Sequence, residues 1–164
     1  MNIENKLIPG LPSGFEDRWD KKLSLKKKLI RTIENNFIKY GFNPLETPSF
    51  EISENIGSFL ADDDSNPMSD VFSFKDGDKN ITLRYDLSSP LARFVAQNNQ
   101  QLPSVYTRYA IQNVFRNEKA GNARYREFTQ ADCDIVGNVN PAQANAELCN
   151  LIASTILACG LKKD

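Results

Sequence analysis

Two runs of β-forming residues, Val105 to Phe115 and Tyr125 to Val136, flank one polar, glycine-containing segment from Asn117 to Arg124. Strand-forming runs of this length on either side of such a segment predict a long antiparallel hairpin. The hairpin also sorts the side chains, because successive residues of a strand point to opposite faces. Arg126, Phe128, Gln130, Asp132 and Asp134 share one side, and Glu127, Thr129, Ala131, Cys133 and Ile135 the other. On the partner strand Val114, Arg116 and Glu118 fall on a common face by the same rule. One sheet surface can therefore carry Arg116, Glu118, Phe128, Gln130 and Asp134 together. Alternation alone fits two readings equally, a pocket floor and the solvent-facing side of a one-sided antiparallel sheet. The chemistry leans toward a pocket. Arginine offers a planar fork of donors to phosphate, a phenyl ring gives a base a stacking platform, and carboxylates accept from ammonium or imidazole N–H groups.

Around this hairpin the chain reads as a mixed α+β domain with an antiparallel sheet flanked by helices. Pro9, Gly10, Pro12 and Gly14 exclude a helix near the start and suggest an extended arm lying across another surface. From Arg18 to Tyr40 apolar residues recur at three- and four-residue intervals, giving an amphipathic helix that Gly41 ends. Lys26, Lys27, Lys28 and Arg31 on it read as a solvated face. Val71–Phe74 and Ile81–Arg84 flank an Asp76-Gly77 turn and predict a second hairpin. Ser89 is expected to cap a helix with Pro90 in its first turn, and a final helix runs from Pro141 to Gly160.

Composition narrows the function classes. The chain has 164 residues, enough for one domain with a real core, and 20 Lys and Arg against 21 Asp and Glu leave a net charge of −1. A general nucleic-acid binder carries a basic field, so any RNA contact here must be local. No apolar stretch is long enough for a membrane span and Met1 to Lys6 lacks the features of a signal peptide, so a cytoplasmic location is the default expectation. Cys133, Cys149 and Cys159 are odd in number and unpaired in spacing, which argues against a disulfide framework or a zinc site. Asp62-Asp63-Asp64 lacks the ligand spacing of a calcium loop and reads as part of a solvated loop. Asn80-Ile81-Thr82 matches the glycosylation triplet but has no use in a cytoplasmic chain.

Val114-Phe115-Arg116-Asn117-Glu118 followed by Arg124-Tyr125-Arg126-Glu127-Phe128-Thr129-Gln130 resembles the motif 2 hairpin of histidyl-tRNA synthetases. Thr47-Pro48-Ser49-Phe50-Glu51 resembles motif 1 of the class II synthetases. Leu83-Arg84-Tyr85-Asp86-Leu87-Ser88 resembles the histidine enzymes' amino-acid-binding segment, and Gly14-Phe15-Glu16-Asp17 their N-terminal arm. The motifs stand in family order from about Pro9 to Leu161. The resemblance implies a six-stranded-type antiparallel sheet, a homodimer built partly on motif 1, and ATP with Mg2+ as reactants. It implies activation of histidine to histidyl-adenylate and transfer to tRNA(His), with no metal site of the protein's own.

Carried over residue by residue, the resemblance makes Arg116 the catalytic residue, on the ATP α-phosphate and the histidine carboxylate. Asp86, Ser88 and Gln130 would hold the ammonium, Asp134 would accept from the imidazole, and Phe128 would stack on adenine. Arg124 would reach the terminal phosphates, with Glu118 near the nucleotide. Asp86 and Asp134 stand where much of the family has glutamate, and Ser88 where threonine is usual. Residues 1–164 end before motif 3 and the anticodon-binding domain, so the expectation is an N-terminal portion of the catalytic domain, inactive alone. Two other readings share these features: a regulatory subunit of ATP phosphoribosyltransferase, and a non-catalytic histidine- or nucleotide-binding module. Retention of Arg116, Glu118, Phe128, Gln130 and Asp134 together favours the synthetase.

Overall fold

In the computed structural model residues 8–56 and 71–161 are described. The acidic run at Asp62 to Asp64 and the segment Met1 to Lys6 lie outside them. Helix α1 spans Asp20–Lys39 and leaves the chain through a left-handed Gly41 at φ +83°. The Gly41 N–H donates to the Ile38 carbonyl (2.9 Å) and the Phe42 N–H to that of Phe37 (3.1 Å). This is the Schellman arrangement, and its apolar contact is supplied by Phe37 and Phe42, both buried. The helix stop thus places Phe42 in the core and aims the next residues at the sheet.

Strand β1 (Asn43–Pro44) runs parallel to β5 (Val105–Phe115), which pairs antiparallel with β6 (Glu127–Gly137) through eleven consecutive partners. β2 (Phe50–Ile52) leads into the short helix α2 (Ser53–Ile56), and β3 (Ser73–Asp76) and β4 (Lys79–Leu83) form the second hairpin. That hairpin is tighter than the expected five-residue turn: Asp76 pairs with Lys79, and only Gly77 and Asp78 lie between them. Gly77, at φ +59°, takes the first turn position, where a two-residue hairpin favours glycine. Helices α3 (Ser88–Asn98) and α4 (Pro141–Ala158) complete the order. Asn140 caps α4 by accepting from the N–H groups of Ala142 and Gln143.

The α+β expectation holds, with one difference in the sheet. The six strands of the described residues form two three-stranded sheets, β1-β5-β6 and β2-β4-β3, rather than one of six. Arg84 is the seam. Its N–H donates to the Ser49 carbonyl and its own carbonyl accepts from Phe115 N–H, both at 3.0 Å. Its guanidinium, buried with the residue 4% exposed, donates to the carbonyls of Asn113 (2.6 Å) and Thr47 (2.7 Å). One residue therefore replaces a continuous ladder between the sheets.

The odd-numbered face of β5 carries Tyr109 against Phe37, Phe42 and Leu151, with Ile111, Cys133 and Ile135 packed alongside. α1 and α4 cover this face and are joined by Asn36, whose amide donates to the Thr155 hydroxyl (2.6 Å) and the Ser154 hydroxyl (2.9 Å). The opposite face has a smaller cluster of Leu87, Ala110 and Val114, against which Phe128 packs. The two faces of one hairpin thus have separate roles, one apolar and helix-covered, the other mixed, with a small apolar cluster among polar side chains that stay partly accessible.

Two substitutions test this framework. Gly137 sits at φ +139° opposite Val105, and an added Cβ would lie 2.2 Å from the Ser104 carbonyl oxygen. Because that neighbour is backbone, Gly137→Ala should destabilise the fold by about 2–3 kcal/mol. Glu51, buried on β2, receives both arms of Arg93 from α3 at 2.6 and 2.8 Å. Arg93→Ala leaves that carboxylate buried and alone, a loss of about 3 kcal/mol. Urea denaturation followed by circular dichroism reads both.

Candidate active site

The register sets what the polar face holds. Val114 stands opposite Phe128, Gln112 opposite Gln130, Ala110 opposite Asp132 and Arg108 opposite Asp134. The face expected from alternation is therefore real, and its residues divide into two groups along the hairpin.

Toward the hairpin tip, the Arg116 guanidinium lies between two rings, 4.4 Å from the centroid of Tyr85 and 5.1 Å from that of Phe128. Such contacts hold a cation by the negative faces of the rings without consuming its N–H donors. The Arg116 Nε has no hydrogen-bond partner among the described residues. The Tyr85 hydroxyl donates to Glu118 at 3.3 Å, so one tyrosine positions both members of the Arg116 and Glu118 pair. Glu118 also accepts from Arg124, whose Nε is 2.8 Å away. Arg116, Glu118, Ala123, Arg124, Tyr125 and Phe128 line an open cleft of about 340 Å³, within the range of small-molecule sites. All four residues expected to meet the nucleotide thus border one cleft. Arg124 is largely exposed, and its charge is engaged by Glu118 here.

The second group lies farther along β6. Gln130 donates to Asp132 at 3.0 Å, and Asp134 contacts Arg108 at 2.7 Å. Asp132 and Asp134 are both pushed above the ordinary carboxylate range, mainly by burial. The Arg108 charge opposes the rise in both, while Asp134 and Asp86 add to it in Asp132. Asp86, in the link from β4 to α3, is thus close enough for its charge to be felt there.

Asp86 also has a structural task that corrects the expected helix start. α3 begins at Ser88 and its boundary residue Leu87 offers no side-chain cap, so Ser89 is inside the helix. The Asp86 Oδ1 instead accepts from the N–H groups of Ser88 (3.0 Å) and Ser89 (2.8 Å). A carboxylate satisfies two orphan donors at the positive end of the helix better than the Ser89 hydroxyl could. Ser88 is exposed beside it.

Arg126, placed on this face by alternation, serves the arm. Its N–H donates to the Gly14 carbonyl at 2.8 Å, its guanidinium lies 4.4 Å from the Phe72 ring centroid, and it also bonds Asn117. A Cβ on Gly14 would lie 2.6 Å from the Arg126 Cγ, so glycine permits the arm to lie this close. The arm does cross another surface, the base of the long loop. Three residues of the site had no assigned role in the sequence: Tyr85, Arg108 and Asp132. Asp132 and Arg108 carry an alternation signal, since 108 has the parity of 114 and 116. Tyr85 carries none, because its place depends on how the β4 to α3 link packs on the hairpin.

The fold matches solved synthetase structures. A histidyl-tRNA synthetase from Nostoc sp. superposes with a TM-score of 0.76 at 28% identity, over 91% of this chain and 34% of that one. A Bacillus halodurans structure titled as an ATP phosphoribosyltransferase regulatory subunit/histidyl-tRNA synthetase superposes with a TM-score of 0.80 over 94% of this chain and 39% of that one. At 24% identity it supports the fold alone. What is present is part of a synthetase-type catalytic core.

The family model for histidyl-tRNA synthetase matches residues 14–163. A histidine–tRNA ligase from Pelagibacter ubique is 85% identical over all of this chain and 35% of its own length. One from Rhodopseudomonas palustris is 45% identical over 96% of this chain and 30% of its own length. The chain belongs to the histidyl-tRNA synthetase family, and it spans about a third of the length of these curated relatives. Among the described residues no helix is long and apolar enough to cross a membrane.

The capping task of Asp86 can be read by stability alone. Asp86→Ala removes the acceptor at the start of α3 and should cost about 1 kcal/mol, whereas Asp86→Asn keeps an oxygen there and should cost a few tenths. Equal losses in thermal unfolding would show that the cap does not matter.

Proposed function

We propose that this chain supplies the motif 2 side of the active site of a histidine–tRNA ligase. The ligase activates histidine with ATP and then transfers it to tRNA(His). The observation that carries the reading is the Arg116 guanidinium held between Tyr85 and Phe128, with Glu118 and Arg124 across the cleft and the carboxylates of Asp86 and Asp134 on the same side of the fold. In activation a histidine carboxylate oxygen attacks the α-phosphorus of ATP, the bond to the bridging oxygen breaks, and pyrophosphate leaves with the electron pair. Charge grows on the α-phosphate oxygens, and a preset guanidinium stabilises it without reorganising.

No side-chain nucleophile or general base is required, because the substrate carboxylate is itself the nucleophile. Positioning and electrostatics carry the step. Asp86, Ser88 and Gln130 take the substrate ammonium, Asp134 the imidazole N–H, and Phe128 the adenine. Arg124 exchanges Glu118 for the terminal phosphates, and Mg2+ enters with ATP as part of the substrate. A homodimer and a cytoplasmic location belong to the same reading. The alternative of a phosphoribosyltransferase regulatory subunit is supported by the fold likeness alone, and ATP binding separates it from the synthetase.

The test is histidine-dependent exchange of pyrophosphate into ATP by the full-length protein that carries this segment, with lysine as control. Exchange with histidine alone is expected, and its absence overturns the reading. Arg116→Ala should lower the exchange rate by about 10²- to 10³-fold. An unchanged rate would remove Arg116 from the reaction.

A further inference from the structure

Arg108 is the largest fully buried side chain of the described residues, with 0% exposure, and the reading above gives it no task. It lies on the polar face directly opposite Asp134. Its Nη2 donates to the Leu87 carbonyl at 3.0 Å and stands 2.7 Å from Asp134 Oδ2, off the direction of a hydrogen bond, so that contact is an ion pair by charge and distance. Its Nε and Nη1 have no hydrogen-bond partner among the described residues. A guanidinium this poorly satisfied is an expensive core residue, and an apolar side chain of similar volume would pack at no such cost. The Asp134 side chain is still 32% exposed, so one edge of its carboxylate faces outward while Oδ2 is buried against the arginine.

We infer that Arg108 is a specificity-determining positioning residue: it cancels the charge of Asp134, so that the ring subsite accepts an uncharged hydrogen-bonding side chain and rejects a cation. The inference rests on the proposed assignment of Asp134 to the imidazole. The charges then match group by group. The substrate ammonium meets Asp86, its carboxylate meets Arg116, and the neutral imidazole meets an ion pair of net charge zero. An unpaired aspartate would instead attract imidazolium or a lysine side chain, by the ordinary strength of a charge pair away from bulk water. Among the described residues, the titratable groups that feel the charges of this pair are Tyr106 on β5 and Asp132 and Cys133 on β6, and Asp86 in the link before α3 acts on Asp132. Burial and the charges of Asp134 and Asp86 push the Asp132 carboxyl up, against the Gln130 hydrogen bond and the Arg108 charge, and Gln130 donates to it at 3.0 Å.

The experiment is the KM for histidine in pyrophosphate exchange by the full-length protein from pH 7.5 to 5.5, across the titration of the imidazole, which in the free amino acid lies somewhat below the side-chain value of about 6.5. If only the neutral ring binds, KM rises about fourfold, following the loss of neutral imidazole. In Arg108→Leu the rise should shrink below about twofold, with KM at pH 7.5 at least tenfold above the parent, while Arg108→Lys keeps the rise. Triazolylalanine, whose ring stays neutral over this range, should give a flat KM in the parent. If Arg108→Leu does not fold, the uncharged pair Arg108→Leu/Asp134→Asn is compared with Asp134→Asn alone. The single variant, which leaves the arginine charge facing the ring, should have a KM at pH 7.5 at least tenfold above the double. A parent KM flat with pH, a rise that persists in Arg108→Leu, a rise for triazolylalanine, or a single variant no worse than the double would each overturn the role of Arg108. Absence of histidine-dependent exchange in the parent would instead overturn the synthetase reading, so the two failures are distinguishable.

Discussion

Arg84 joins parts of the chain that no continuous strand connects. It takes Ser49 on one edge through its N–H, Phe115 on the other through its carbonyl, and the carbonyls of Thr47 and Asn113 through its guanidinium. Burial pushes its pKa down from the ordinary value, and the charges of Glu46 and Glu51 oppose that. A buried cation satisfied by main-chain oxygens tolerates little displacement of any of them, since each lost acceptor leaves a donor unpaired in a low-dielectric interior. The next residues along the chain are Tyr85, which lies against Arg116, and Asp86, which caps α3. The seam between the sheets is therefore also the mount for the amino-acid-binding segment.

The same economy appears at the hairpin. β5 and β6 are paired along their whole length, so side chains of one parity all face the helices and those of the other all face the opposite side. Tyr109, Ile111, Cys133 and Ile135 form the wall of the main core, while Arg108, Arg116, Phe128, Gln130, Asp132 and Asp134 stand on the other side. A slip of one residue would exchange the two sets, burying carboxylates under α1 and α4. The apolar core thus protects the registration of the polar site without touching it.

The long hairpin, the α1 helix with its glycine stop and the final helix were legible because each rests on local periodicity and local turn chemistry. Arg116, Glu118, Phe128, Gln130 and Asp134 were legible as one face for the same reason. The cap of α3 differs from the expected Ser89 because Asp86, Ser88 and Ser89 lie together ahead of Pro90, and any of the three side-chain oxygens could have supplied the first acceptor. The division of six strands into two sheets was not legible, since strand periodicity says which residues alternate but not which edges meet.

The sequence by itself determined the strand parity of the site, the helix that backs it and the family to which the motifs belong, because these depend on spacing along the chain. The tertiary structure alone decided that Tyr85 lies against Arg116, that Glu118 holds Arg124, and that a fully buried Arg108 ion-pairs with Asp134. Those contacts join residues separated by 31, 6 and 26 positions. Whether such groups meet, and how much water remains between them, is set by packing in three dimensions. That residual water in turn governs how strongly their charges act on each other.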